Sequence, residues 1–213
     1  MDSRTEIILV HGLWFGAWAL GTLGRRLHGT GFLVRHFDYA ATADHLDSHA
    51  QELHRFALEV EVDRQHFLGH SLGGLVILRM LAEFDDIPPG RVVLLGSPLG
   101  GSSVARKMNK MPGAEKLLGK ARSPLQQGYA ELPADRETGM ITGSKAVGLG
   151  LLAGGPGGPS DGTVKISEAD AKGLKDRLVL PVSHTGLLYS AQVAQQAAAF
   201  LKNGRFEPVQ QQI

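Results

Sequence analysis

The stretch Phe67-Leu68-Gly69-His70-Ser71-Leu72-Gly73-Gly74-Leu75-Val76 decides how the rest of the chain is interpreted. It places the pattern Gly-x-Ser-x-Gly between an apolar run and a helix-forming run. A strand that turns sharply into a helix holds the turn residue in a strained conformation and exposes its side chain. Gly69 and Gly73 flank the serine because a side chain at either position would block the close approach of strand and helix. The stretch predicts a nucleophilic Ser71, although five letters alone also fit an ordinary serine at a glycine-rich helix start.

Apolar runs alternate with amphipathic segments along most of the chain. Short apolar runs are typical of strands, whereas apolar residues at intervals of three and four are typical of helices. The first pattern predicts strands at 6–10, 32–39, 66–68, 91–95, 136–142 and 177–182. The second predicts helices at 17–27, 43–60, 72–84 and 189–202, and residues 205–213 form a polar tail. The alternation predicts an α/β fold with a mainly parallel sheet and helices on both of its faces.

Polar residues follow several of the predicted strands directly. His11-Gly12 follows the first strand, Ser71 the third and Gly96-Ser97 the fourth. His184 follows the last strand, and Asp161 lies at the end of the glycine-rich loop before it. Because ligands of such sheets bind at the carboxyl ends of the strands, these residues are expected to lie close together.

A serine hydroxyl is a poor nucleophile at neutral pH, so it needs a base within hydrogen-bond reach. The base in turn needs a third group that holds its tautomer and stabilises its positive charge. Ser71, Asp161 and His184, in that order along the chain, supply one residue for each task. Alternatives stay open from the residues alone. His184 is one of nine histidines and also fits an ordinary loop residue. Asp135 or Asp170 could be the acid instead of Asp161, and Asp161-Gly162 also fits a simple turn.

The alternation of strands and helices is interrupted after Gly101. Two short helical stretches, separated by Pro112-Gly113, are predicted within 102–122, where six basic residues accompany one acid, Glu115. We expect a cap or lid over 102–135, inserted at the top edge of the sheet within a single domain spanning 1–213. Its Met108 and Met111 share a helix face. That face either meets a lipid or an anionic substrate, or it packs on the body and leaves the charges in solvent.

Several motifs together resemble the α/β-hydrolase family. The resemblance rests on His11-Gly12, on the serine turn over 69–74, and on Gly96-Ser97-Pro98-Leu99-Gly100-Gly101-Ser102, Ser160-Asp161-Gly162-Thr163-Val164 and Ser183-His184-Thr185-Gly186. Within the family the chain is most similar to compact lipase-type esterases, including the bacterial lipase and GPI-inositol deacylase-like branch. Those members share an Asp-Gly-x-Val motif and a Gly-Ser-Pro-x-x-Gly-Ser segment. The resemblance implies the α/β-hydrolase fold with a small helical lid-like insertion.

The resemblance also implies a role for each matching residue. Ser71 would attack an acyl carbonyl, His184 would accept and return the proton, and Asp161 would orient His184. The backbone N–H groups of Leu13 and Leu72 would hold the oxyanion. The implied activity is hydrolysis of carboxylic esters through an acyl-enzyme. The same residues would also serve an acyltransferase or a thioesterase, and a catalytically silent scaffold that binds a ligand or a protein is the alternative from another class.

Other side chains are predicted to shape the site rather than to react. Trp14 and Phe15 follow the oxyanion loop and either line an acyl pocket, together with Met108 and Met111, or pack as a core pair. His11 is interpreted as a loop-shaping residue. His70 is expected to point away from the nucleophile without a role in proton transfer, and Ser97 is expected to be structural.

Composition excludes several classes of function. The 213 residues carry a formal charge of +1 and no cysteine, which argues against nucleic acid as a partner and against disulfides or thiolate metal sites. No zinc site built from clustered histidines and carboxylates is expected, and no cofactor is expected. The polar start is unlike a signal peptide, and no apolar run approaches the ~20 residues of a membrane span. We expect a cytoplasmic protein without stable membrane insertion, acting on a small-molecule ester or a lipid-like substrate, in an oligomeric state that the sequence does not indicate.

Overall fold

The computed structural model describes residues 4–129, 131–148, 150–151 and 154–208. Its strands are β1 (Thr5–Val10), β2 (Leu33–Phe37), β3 (Arg64–His70), β4 (Val92–Leu95), β5 (Thr138–Gly143) and β6 (Asp176–Leu180). They form one sheet of order β2-β1-β3-β4-β5-β6 in which every pairing is parallel. The α/β class and the mainly parallel sheet are therefore confirmed.

Helices cover both faces of the sheet. They are α1 (Gly21–His28), α2 (Leu46–Ala57), α3 (Leu72–Glu83), α4 (Ser103–Met108), α5 (Ala114–Leu118), α6 (Arg122–Gln127) and α7 (Ala191–Asn203). Side chains alternate between the faces, as the geometry of a strand requires. In β1, Ile7 and Leu9 pack against α1 and α7, whereas Ile8 and Val10 pack against α2 and α3. This two-sided burial explains the continuous apolar runs of the central strands.

The segment between β4 and β5 holds the helical insertion, which consists of α4, α5 and α6. The sequence predicted two helical stretches here, and α6 is a third. Hydrogen bonds tie the insertion to the body. The Ser103 N–H donates to Glu168 Oε1 over 2.7 Å, and the Lys120 N–H donates to the Thr42 carbonyl over 2.9 Å. The insertion is therefore anchored at the start of α4 and again between α5 and α6.

Two local predictions were wrong. Residues Ala17–Leu20 form a short 3-10 turn before α1, so the predicted helix over 17–27 is not continuous. The described part of the tail is not merely polar, because Phe206 is buried and packs against Phe200 with ring centroids 4.9 Å apart. Its N–H donates to Asp176 Oδ2, which closes the chain against the start of β6. Residues 209–213 of the predicted tail lie outside the described residues.

Candidate active site

Ser71 occupies the turn between β3 and α3 without any intervening residue. Its backbone is at φ 54° and ψ −121°, a region that side-chain-bearing residues rarely adopt. Such a conformation costs about 1–3 kcal/mol and persists only where the surrounding structure enforces it. Here the Ser71 N–H donates to the Leu95 carbonyl of β4 over 2.9 Å. The serine is therefore held at the carboxyl edge of the sheet by the sheet itself.

The glycines of the turn allow helix α3 to approach the strands closely. A Cβ atom on Gly69 would lie 2.6 Å from the Gly74 Cα atom, and one on Gly73 would lie 2.3 Å from the Val10 carbonyl oxygen. Both distances are shorter than any contact that a real Cβ atom makes. A side chain at either position would therefore collide with the neighbouring backbone, which explains the two glycines of the Gly-x-Ser-x-Gly pattern.

Asp161 and His184 form a buried pair beyond the ends of β5 and β6. His184 Nδ1 lies 2.7 Å from Asp161 Oδ2, and the His184 N–H donates to the Asp161 carbonyl over 2.9 Å. The other carboxylate oxygen, Oδ1, accepts from the Thr163 and Val164 N–H groups over 2.9 and 2.8 Å. Both side chain and backbone of Asp161 thus orient the imidazole, so that Nδ1 carries the proton that faces the carboxylate.

The charge state of Asp161 follows from its surroundings. Burial opposes ionisation, but the nearby His184, its hydrogen bond and the Thr163 and Val164 N–H donors outweigh burial, so the pKa of Asp161 lies below its usual range. The carboxylate is therefore ionised at neutral pH. Gly96, at the end of β4, permits this arrangement: with φ +58°, a Cβ atom there would lie 2.9 Å from Asp161 Oδ2.

Two backbone N–H groups are available beside the serine. Leu72 is the first residue of α3, and the first N–H groups of a helix have no intrahelical acceptor. The Leu13 N–H finds no backbone acceptor among the residues that the structure describes. The next residue, Trp14, has a positive φ of 61°, and Ser71 is the one other described non-glycine residue with this property. Strain therefore concentrates on both sides of the predicted oxyanion position.

His11 shapes the loop that carries Leu13, as predicted. Its Nδ1 lies 2.9 Å from the Gly12 carbonyl, its carbonyl accepts from the Tyr39 hydroxyl over 3.0 Å, and its ring stacks on that of Tyr39. Burial, opposed by weaker interactions with Gly12 and Asp38, lowers the pKa of His11. The ring is therefore neutral at pH 7 and serves the loop rather than proton transfer.

A cavity of about 430 Å³ brings these groups together. Ser71 and His184 lie in its wall, and so do all four side chains predicted to bind substrate, namely Trp14, Phe15, Met108 and Met111. Further apolar side chains that were not predicted to line a pocket come from Leu13, Pro98, Val104, Ala105, Leu117, Leu118, Leu125 and Val164. The cavity therefore joins a polar corner at the strand ends to an apolar wall that is largely supplied by the helical insertion.

The comparisons with known proteins agree with this architecture. The model of the "Alpha/beta hydrolase family" matches residues 7–203, which is nearly the whole chain. The chain belongs to the α/β-hydrolase family. No curated protein matches the chain.

Solved structures show the same hydrolase fold at low sequence identity. The mature lipase BlEst2 of Bacillus licheniformis superposes with a TM-score of 0.72 at 18% identity, covering 95% of this chain and 92% of that one. The metagenomic carboxyl esterase MGS0156 gives 0.66 at 17% identity, with 86% and 65% covered. The pyrethroid hydrolase PytH gives 0.64 at 15% identity, with 95% and 99% covered. At such identities the shared property is the fold.

His70 is the residue of this α/β-hydrolase whose position differs most from expectation. It does not point away from the site: its ring lines the cavity, with its centroid 4.6 Å from that of His184. Burial, followed by the neighbouring His184, lowers the pKa of His70 to about 3, so the ring is neutral. Its Nε2 lies 3.1 Å from the His184 carbonyl, an acceptor, so Nε2 is the protonated nitrogen. His70 therefore holds the backbone of His184.

A second and larger cleft lies along the edge formed by β5 and β6. Its volume is about 670 Å³, and Met140, Thr142, Arg177 and Val179 contribute to its wall. Asp170 forms an exposed ion pair with Arg177 there. Asp170, the alternative to Asp161 as the orienting acid, therefore lies away from Ser71. Within the described ranges, no group of three or more histidines and carboxylates is arranged to hold a metal ion. The chemistry-bearing residues thus converge on the smaller cavity.

Proposed function

We propose that this protein hydrolyses carboxylic esters through an acyl-enzyme formed on Ser71. One observation carries the proposal. A serine at positive φ and a histidine paired with a buried carboxylate at 2.7 Å lie in the wall of one apolar cavity. The family and the lipases and esterases that share its fold support the same reaction class.

Each residue would have the same role in the acylation step and in the deacylation step. Ser71 Oγ attacks the ester carbonyl as His184 Nε2 takes its proton, while Asp161 stabilises the resulting imidazolium. The oxyanion accepts hydrogen bonds from the Leu13 and Leu72 N–H groups, and the dipole of α3 adds positive potential there. When the intermediate collapses, the C–O bond breaks and His184 protonates the departing alcohol. Water then attacks the acyl-enzyme by the same route and releases the acid.

The cavity favours a small-molecule ester or a lipid-like substrate with an apolar acyl group. Its wall beyond Ser71 and His184 consists mainly of leucine, methionine and aromatic side chains. Such a wall binds substrate by removing apolar surface from water, at about 25 cal/mol per Å² buried. The acyl chain would therefore lie along the helical insertion, with the carbonyl at the strand ends.

The test is hydrolysis of p-nitrophenyl acetate, butyrate and octanoate by the wild type and by Ser71→Ala. Loss of a triad nucleophile costs up to about 10⁶ in kcat, so the variant should fall by at least about 10⁴. Ser97→Ala is the matched control, because it removes a buried hydroxyl at the end of the neighbouring strand. Equal rates for the wild type and Ser71→Ala would refute the proposal.

Covalent labelling separates the proposal from a silent scaffold. A fluorophosphonate should modify Ser71 in the wild type and leave Ser71→Ala unmodified. A folded wild type that hydrolyses no ester and takes up no label would instead favour ligand binding without catalysis. Adding an alcohol or a thioester to the assay distinguishes hydrolysis of oxygen esters from acyl transfer and thioester hydrolysis, which would use the same residues.

A further inference from the structure

Apolar side chains are exposed around the mouth of the cavity. Trp14, Met111 and Leu117 line the cavity, yet each remains roughly half exposed, so they lie where it opens. Trp18 extends this rim, because its ring packs edge-on against Phe15 with centroids 6.2 Å apart. It is 73% exposed. Large exposed apolar surfaces of this kind mark interaction sites rather than ordinary surface.

The rim is held together across two parts of the chain. The Trp14 Nε1–H donates to the Leu117 carbonyl over 2.8 Å, which joins the loop after β1 to helix α5. We name Trp14, Trp18, Met111 and Leu117 the mouth surface.

Positive charge accompanies the mouth surface. Lys110 and Lys116 flank Met111 and Leu117 in the chain, and Lys120 follows at the end of the same segment. All three are exposed, and within the described part of the chain none of them has an ion-pair partner. The acid of this segment, Glu115, is paired with Arg122 instead. The charge that faces outward beside the apolar rim is therefore cationic and uncompensated.

We propose that the mouth surface binds the surface of an anionic lipid bilayer. Exposed tryptophan and leucine insert at the boundary between headgroups and acyl chains, where one end of the indole is apolar and the other wet. Lysines beside such residues gain affinity from the negative potential of the lipid surface. No helix in the described ranges is long and apolar enough to cross a bilayer. The cavity then opens toward the lipid.

The two tryptophans make this proposal directly measurable. The chain contains two, Trp14 and Trp18, and both belong to the mouth surface. Their fluorescence therefore reports on this surface alone. The experiment titrates the Ser71→Ala protein with vesicles of phosphatidylglycerol or of phosphatidylcholine, and follows emission and co-sedimentation. Ser71→Ala keeps the surface and cannot turn over lipid through Ser71, so the result does not depend on the proposed ester hydrolysis.

The expected result is a blue shift and co-sedimentation with phosphatidylglycerol that weaken as NaCl is raised, and little of either with phosphatidylcholine. Replacing Lys110, Lys116 and Lys120 together by Gln should weaken binding about a hundredfold, at about fivefold for each lysine. Met111→Ser with Leu117→Ser should weaken it about tenfold.

Matched controls lie at the opposite edge of the sheet. Arg4, Arg64 and Lys172 are exposed cations near the amino ends of β1, β3 and β6, without an ion-pair partner among the described residues, and Leu58 is exposed at the end of α2. Their replacement by Gln, and by Ser for Leu58, should leave vesicle binding unchanged. Equal binding to both lipids, equal losses in the control variants, or no binding would each overturn the proposal. A blue shift that grows with protein concentration without lipid would also overturn it, since it would assign the surface to self-association.

Discussion

The two walls of the cavity are built in different ways. On the strand side, Ser71, Asp161 and His184 are positioned by backbone hydrogen bonds at the ends of parallel strands. On the other side, short helices supply Met108, Leu117 and Leu118 through apolar packing. The first wall leaves its groups almost no freedom of position, whereas the second requires only apolar side chains of suitable volume.

If the protein hydrolyses esters as proposed, this difference predicts that the strand wall sets the rate and the helical wall sets the specificity. A misplacement of about 1 Å at reacting groups can cost 10²-fold in rate. Hydrophobic exchanges that preserve volume usually cost less than about 1.5 kcal/mol, so a packed wall tolerates change. Substitutions in the strand wall should therefore lower kcat for every ester, and substitutions in the helical wall should alter the preference among esters.

The largest effect expected in the strand wall, short of removing Ser71, comes from Asp161→Asn. An amide in place of the carboxylate favours the wrong tautomer of His184 and no longer stabilises its charged form, so kcat should fall about 10⁴-fold. The measurement is kcat and KM on p-nitrophenyl butyrate, with KM nearly unchanged. Asp170→Asn is the matched control, because Asp170 lies in an exposed ion pair with Arg177 and should stay within about twofold of the wild type. A stronger effect at position 170 would contradict the assignment of the acid.

A smaller effect is expected from His70→Phe. Phenylalanine keeps a ring beside Phe15 and His184 but removes the Nε2–H donor to the His184 carbonyl. The imidazole of His184 would lose part of its support, and kcat should fall about 10- to 100-fold with little change in KM. His70→Gln, whose amide can reach the same carbonyl, should recover most of the rate. If Phe and Gln behave alike, the hydrogen bond has no positioning role.

The position of His70 could not be predicted from the sequence, whereas the strand wall could. The strand wall could be predicted because Gly-x-Ser-x-Gly and Asp-Gly-Thr-Val are local patterns that the backbone requires. The contact between His70 and His184 joins residues 114 positions apart and leaves no local pattern. The predicted end of the third strand at residue 68 was wrong for a related reason. Strand β3 extends to His70 because it pairs with β4 there, although Gly69 and His70 are not strand-forming residues.

The buried histidine His66 in strand β3 should make the free energy of unfolding depend on pH in the acid range. Burial, then nearby Arg91, Arg64 and Arg136, lowers the pKa of His66 to about 4. Above pH 6.5 both folded and unfolded states leave this ring neutral, so its contribution to stability is complete. As the pH falls from 6.5 toward 4 the unfolded state binds a proton that the folded state excludes, and the free energy of unfolding decreases by about 1 kcal/mol per pH unit.

Urea unfolding at pH 7, 6 and 5, for the wild type and for His66→Asn, measures this contribution. His66 Nδ1 accepts from the Arg91 N–H over 2.8 Å, and an asparagine oxygen can take over that bond. The variant should lose part of the pH dependence and keep most of the stability at pH 7. A pH dependence identical to that of the wild type would show that His66 is not the group that titrates.

The helical wall was the harder part to predict. The sequence indicated an insertion and its two methionines, yet α6 and the contributions of Leu118 and Leu125 were missed. Helices of five or six residues show too few turns for periodicity to stand out. Their stability comes from packing on the body, which residue spacing does not record.

The smallest effects are expected in this wall and should depend on acyl length. Met108 is partly buried at the insertion, whereas Met111 is half exposed at the mouth. Each buried methylene is worth about 0.8 kcal/mol, so Met108→Ala should lower kcat/KM about fivefold for the octanoate ester and leave the acetate unchanged. Met111→Ala should show its effect only for longer acyl chains, such as dodecanoate. If either variant lowers the rate for acetate as much as for octanoate, the helical wall positions the reacting groups as well, and rate and specificity are not divided between the two walls.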